Sequence, residues 1–226
     1  MDATARNAMF ADTAADRGRG YRAIHRSMIL VVIAAALATA AGVAAGVRDR
    51  LKPEEGRSAV RMVADGSIVP HATSIVTRDN TGIDITLQTS GLPKGHVIVL
   101  KAMVFNAPGR CLHGAGGFPC GDEDLSDPAV DGSVVFVAAN QTRGDDRVRF
   151  SSHLSAGDAT RAASGRGLTD TRGAAVRLII ADHGPPLAEL FRDQITTLSG
   201  GCKDAPPNSG TPGPNNCTDL HYANHP

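Results

Sequence analysis

A chain of 226 residues with no formal net charge lacks the basic excess of a nucleic-acid binder, and with no Trp and only 4% aromatics it lacks the rings of a base-stacking surface. Removing residues 1–47 leaves 18 basic and 20 acidic side chains, so the balance belongs to the body of the chain. No nucleic-acid partner is expected.

Residues 1–27 are polar and carry five arginines, after which Met28 to Val47 runs MILVVIAAALATAAGVAAGV without a charge. The strongly apolar part, Met28 to Leu37, and the small residues Ala38-Thr39-Ala40 fit the hydrophobic region and cleavage site of a signal peptide. The alternative is an uncleaved anchor, since about twenty residues of helix cross roughly 30 Å of hydrocarbon. Arginines before the segment outnumber Arg48, Arg50 and Lys52 just after it, which places the N-terminus inside and the body outside. Either way the body is exported, to the periplasm or beyond, and the only membrane contact expected is through residues 28–47 if they are retained.

From Arg48 to Ser67 the chain is charged, includes Pro53-Glu54-Glu55-Gly56, and reads as a linker. Residues 68–226 read as one exported domain. Ala72 to Thr77 is a candidate strand, Asn80-Thr81-Gly82 a turn, and Ile83 to Gln88 alternates apolar and polar residues as a half-buried strand does. Val97 to Phe105 is apolar on both faces except for Lys101, as expected of a strand covered on both sides. Ser133 to Ala139, Arg147 to Ser151 and Ala174 to Ala181 continue the series, with a glycine-rich connection over 164–173. Pro186 to Ile195 is the helix candidate, with Leu187, Leu190, Phe191 and Ile195 on one face. The tail from Gly200 is loop, returning as an edge strand at Leu220 to Tyr222. Short strands, frequent turns and one short helix make the fold all-β, an antiparallel β-sandwich of the immunoglobulin-like kind.

Cys111, Cys120, Cys202 and Cys217 all follow the targeting segment and sit in stretches rich in Gly, Pro or Asn. An even count in an exported chain reads as two disulfides. Of the three pairings, Cys111 with Cys120 and Cys202 with Cys217 is expected, because each closes a short loop. A cysteine zinc knuckle needs tighter spacing than these pairs have.

His113-Gly114-Ala115-Gly116-Gly117 imitates an oxyanion-hole loop, yet the chain has no G-x-S-x-G to supply its nucleophile. Asp122, Asp124 and Ser126 begin like a calcium loop, but Asp127 stands where glycine is needed and Ser133 where the bidentate Glu belongs, so the acidic cluster reads as a solvated turn. The histidines give no tight metal spacing, except for His221 and His225 in a segment taken to be a loose tail. His96, His113 and His183 are the candidate copper or zinc ligands, His96 and His183 because they lie at the ends of core strands.

The runs GLPKGHVIVLKAMVFNAPGRC, CGDEDLSDPAVDGSVVF, RGAAVRLIIADHGP, SGGC and CTDLHYANHP together resemble a family of uncharacterised exported bacterial proteins, over roughly residues 70–226. Members of that family carry GLPPGHxxTxWWVVFNxPxxC, whereas this chain has Lys101-Ala102-Met103 in place of the aromatic pair. A weaker similarity, on the G-L turn and H-G-P, is to chordin-type (CHRD) domains, which implies a CHRD-like variant of the sandwich. The resemblance implies export, β structure and disulfides, and it carries over no catalytic residue. The expected function is a non-enzymatic exported binding or structural module without a cofactor. The alternative is an extracytoplasmic metal-binding protein or metal-dependent enzyme that uses those histidines.

Overall fold

The computed structural model describes residues 52–226 apart from Asp145. The expected targeting segment, 28–47, lies outside the described residues. Among the described residues no helix is long and apolar enough to cross a membrane.

Among the described residues ten strands build two antiparallel sheets. In chain order they are β1 (Glu54–Ser58), β2 (Arg61–Met62), β3 (Thr73–Arg78), β4 (Gly82–Thr89) and β5 (Val97–Phe105), then β6 (Gly132–Gln141), β7 (Val148–Ser155), β8 (Ala162–Ser164), β9 (Ala175–Asp182) and β10 (Thr218–His225). The smaller sheet has the order β1-β3-β4-β7 and the larger β2-β10-β9-β5-β6-β8. The all-β sandwich read from the sequence is the fold observed.

Alternation explains how the sheets face one another. Ile83, Ile85 and Leu87 of β4 point inward with Val76 of β3 and Val148, Phe150 and Leu154 of β7. They meet Ile98, Leu100, Ala102 and Val104 of β5 and Val176, Leu178 and Ile180 of β9 across one continuous core. The β3–β4 hairpin is turned by Asp79, whose Oδ1 accepts from the Thr81 amide at 2.7 Å and the Gly82 amide at 3.1 Å. Val137 bulges out of register between Phe136 and Ala138, and its carbonyl accepts from Ser152 and Arg161, tying the two sheets together.

The outer face of the larger sheet is covered too, which is why β5 is apolar on both sides. At one end a second cluster of Phe105, Phe118, Cys120, Val130 and Ala175 packs beneath the loop closed by Cys111–Cys120. Phe105 and Phe118 meet edge to face at 5.9 Å. At the other end lie the short helix α1 (Phe191–Thr196) and the loop closed by Cys202–Cys217. Both disulfides pair as expected from the loop lengths.

Three expectations are corrected. The linker over 48–67 is in part sheet, because β1 pairs along its whole length with β3 and β2 pairs with β10. Charge in β1 marks a solvated sheet edge rather than a linker. The edge strand at Leu220 to Tyr222 is a full strand seated between β9 and β2, and its His221 and His225 are buried in the core. Finally, α1 begins at Phe191, and its fully buried side chain is Gln194 rather than an apolar one. The Gln194 amide donates to the carbonyls of His183 at 3.3 Å and Pro185 at 3.2 Å and accepts from the Leu187 amide at 2.8 Å, so it satisfies a corner that Leu could not.

Candidate functional site

Tyr222 stands opposite Ile179 and Asn224 opposite Arg177 on the outer face of β10 and β9. These four side chains floor a cleft of about 570 Å³. Arg61 and Val63 wall one side, the Ala115–Gly116 segment and Asp122 wall the other, and Asp219 lines it as well. The volume is that of a small-molecule site.

Arg177 organises the floor. Its guanidinium donates to Asn224 Oδ1 at 3.1 Å, to Asp122 Oδ1 at 3.0 Å and to the Cys120 carbonyl at 3.3 Å, and lies 4.9 Å from the Phe118 ring centroid. One side chain thus clamps the stapled loop onto the sheet. Lys101, the only charge in β5, sits on the same face with Nζ 2.8 Å from Asp219 Oδ1. The cleft therefore offers donors and acceptors in near balance.

The wall is a miniature hairpin. Ala115 and Phe118 exchange both backbone hydrogen bonds at 3.1 Å, with Gly116 at φ 60° and Gly117 at φ 82°. Both central residues are left-handed, as a type I′ turn requires, and this accounts for the glycines that imitate an oxyanion hole. Asp124 holds the base of the loop: its carboxylate accepts from the amides of Leu112 (2.9 Å), His113 (3.1 Å) and Gly121 (2.8 Å), and from His113 Nδ1 (2.9 Å). Burial pushes this carboxyl up, but the backbone amides and the imidazole outweigh burial and hold it below the usual carboxylate range. Asp124 raises the His113 imidazole in turn. The acidic cluster expected to be a solvated turn thus contains a buried anchor, Asp124.

The three candidate metal ligands go to three places. His96 Nδ1 lies 2.9 Å from both oxygens of Asp182 at the mouth of β5 and β9. His113 sits on Asp124 in the stapled loop. His183, buried at the end of β9, has its Nδ1 without a hydrogen-bond partner and shares a neighbourhood with Cys202 and Cys217. Among the described residues, no group of three or more potential ligands within metal-binding reach contains two histidines.

Arg61, Arg177, Asp219, Tyr222 and Asn224 went unrecognised in the sequence as site residues. One signal was present: Arg177 interrupts the otherwise apolar run AAVRLIIA, and a charge in a covered strand marks a specific partner. Comparison of the chain with protein-family models, with curated proteins and with solved structures finds no match in any of the three.

Proposed function

We propose that the chain is an exported, non-enzymatic binding module that takes a small polar ligand in the cleft over β9 and β10. The carrying observation is the composition of that cleft, where Arg61, Asp122, Asp219, Tyr222 and Asn224 offer both donors and acceptors and none of the lining residues is Ser, Cys or His. A polyanion would meet Asp122 and Asp219, and a polycation would meet Arg61 and Arg177. A net-neutral ligand rich in hydrogen-bonding groups, a polyol or a zwitterion, matches best. Two disulfides fit an oxidising compartment. The charge pattern before residue 48 and the likeness of residues 70–226 to exported bacterial proteins support the same location.

Tyr222 gives a direct readout, since the chain has no Trp and its other tyrosine, Tyr21, precedes the targeting segment. Titration with a neutral hexose and with a zwitterionic amino acid is expected to change tyrosine fluorescence saturably for one of them. The combined Arg61→Ala and Asn224→Ala variant should weaken that binding about tenfold or more, corresponding to 1.4 kcal/mol or above. A flat response to both probes would count against the cleft as the site.

A further inference from the structure

A different part of the molecule carries a second kind of site. One ring nitrogen of His183 and the sulfurs of Cys202 and Cys217 all lie within 4.8 Å of one another. His183 is 1% exposed and its Nδ1 makes no hydrogen bond; among the described residues Nε2 of buried His221 is left likewise, but it belongs to no such group of donors. A buried imidazole that keeps one nitrogen free of hydrogen bonds, on a ring that reaches two sulfurs, has the donor atoms of a metal ligand group. We propose that His183, Cys202 and Cys217 form a thiol-gated Zn²⁺ site, closed while the disulfide stands and available once it is reduced.

The gate follows from the chemistry of sulfur, because only a thiolate ligates zinc strongly. An external thiol attacks the disulfide at Cys217, the more exposed of the two residues, to form a mixed disulfide and release Cys202. A second external thiol then frees Cys217. Two external thiols are oxidised to one disulfide, and the protein gains two thiols. Zn²⁺ then displaces both thiol protons and binds two thiolates and one neutral imidazole. The charges cancel, which suits a buried pocket, where a net charge is costly. A tetrahedral zinc with water as its fourth ligand and Zn–S of roughly 2.3 Å keeps two thiolates roughly 3.8 Å apart. Side-chain rotation reaches that separation from Cα atoms 5.5 Å apart.

The backbone is already held for such a site. Cys202 bridges Asn215 and accepts from the Gly213 amide at 3.0 Å, while Asn215 donates to the His183 carbonyl at 2.7 Å. Reduction therefore leaves Cys202 and His183 tethered through Asn215, which lies two residues before Cys217 in the chain. The other sulfur group, Cys111 and Cys120 with Asp124, is a poorer candidate because both carboxylate oxygens of Asp124 already accept two hydrogen bonds each. Sequence spacing concealed the site, since its third ligand, His183, directly follows β9, about twenty residues before Cys202.

The test uses the full chain, oxidised and after anaerobic reduction, equilibrated with Zn²⁺ and freed of excess metal before elemental analysis. One zinc per reduced chain and none per oxidised chain is expected. His183→Gln should lower the affinity of the reduced protein more than about tenfold. The Cys202→Ser and Cys217→Ser pair should abolish binding, and the Cys111→Ser and Cys120→Ser pair should leave it intact. Co²⁺ added to reduced wild-type protein should show thiolate-to-metal charge-transfer absorption, a readout that depends on no variant folding. No zinc on the reduced chain, unchanged affinity in His183→Gln, or a cobalt spectrum without thiolate bands would each overturn the proposal.

Discussion

His221 and His225 cross the sandwich from β10, with His221 Nδ1 2.9 Å from Thr89 Oγ1 and His225 Nε2 2.8 Å from Ser74 Oγ. Burial pushes both imidazoles down; for His225 the nearby Arg78 guanidinium adds to it, and its pKa falls to about 4. In the unfolded chain they titrate near 6.5, as histidines do, at roughly that pH. Between these values the unfolded state binds more protons, so stability is full above about pH 6.5 and is lost as the pH falls toward about 4. His225 alone accounts for about 3 kcal/mol of that loss. Urea unfolding across this window should show the decline, and His225→Gln should flatten it by about one proton; an unchanged slope would remove His225 as its source. Gln194 is a second residue whose polarity is structural. Its replacement by Leu leaves the Leu187 amide without its partner and the His183 and Pro185 carbonyls with Asn215 alone, an expected loss of about 1–3 kcal/mol by chemical denaturation.

Among the elements, β5 was legible at both ends, because a nine-residue apolar run bounded by turns has few other uses. The alternation of β4 was equally plain. β10 was misread since its inward set is His221, Ala223 and His225, which spells a polar tail although its period is that of a strand. β1 and β2 were missed for the opposite reason: short edge strands are defined by the partner they pair with, and Glu54, Glu55 and Arg57 face solvent. The same contrast sets the cost of truncation. Leu100→Ala in the middle of β5 should cost about 3 kcal/mol, whereas Leu112→Ala in the stapled loop, at a side chain 81% exposed, should leave the urea midpoint unchanged. Equal effects would mean that the loop packs against something other than solvent.

For the whole molecule, the sandwich acts as a frame and the two disulfides fasten loops onto one face of it. Both pairings could be read from cysteine positions, but the cleft could not, because its lining comes from β2, the stapled loop, β9 and β10, which are distant in the chain. Arg177 ties those parts together, so Arg177→Met, which keeps the stem but removes the charge, should free Asp122 and the Cys120 carbonyl and abolish ligand response while the strands persist.

The most direct measurement is hydrogen–deuterium exchange on the oxidised protein and on its Cys111→Ala and Cys120→Ala variant. Protection should fall across residues 111–124 and stay unchanged in β4, β5 and β9, since a frame held by its own apolar core does not need the staple that shapes the site. Loss of protection throughout both sheets would contradict that division between frame and site.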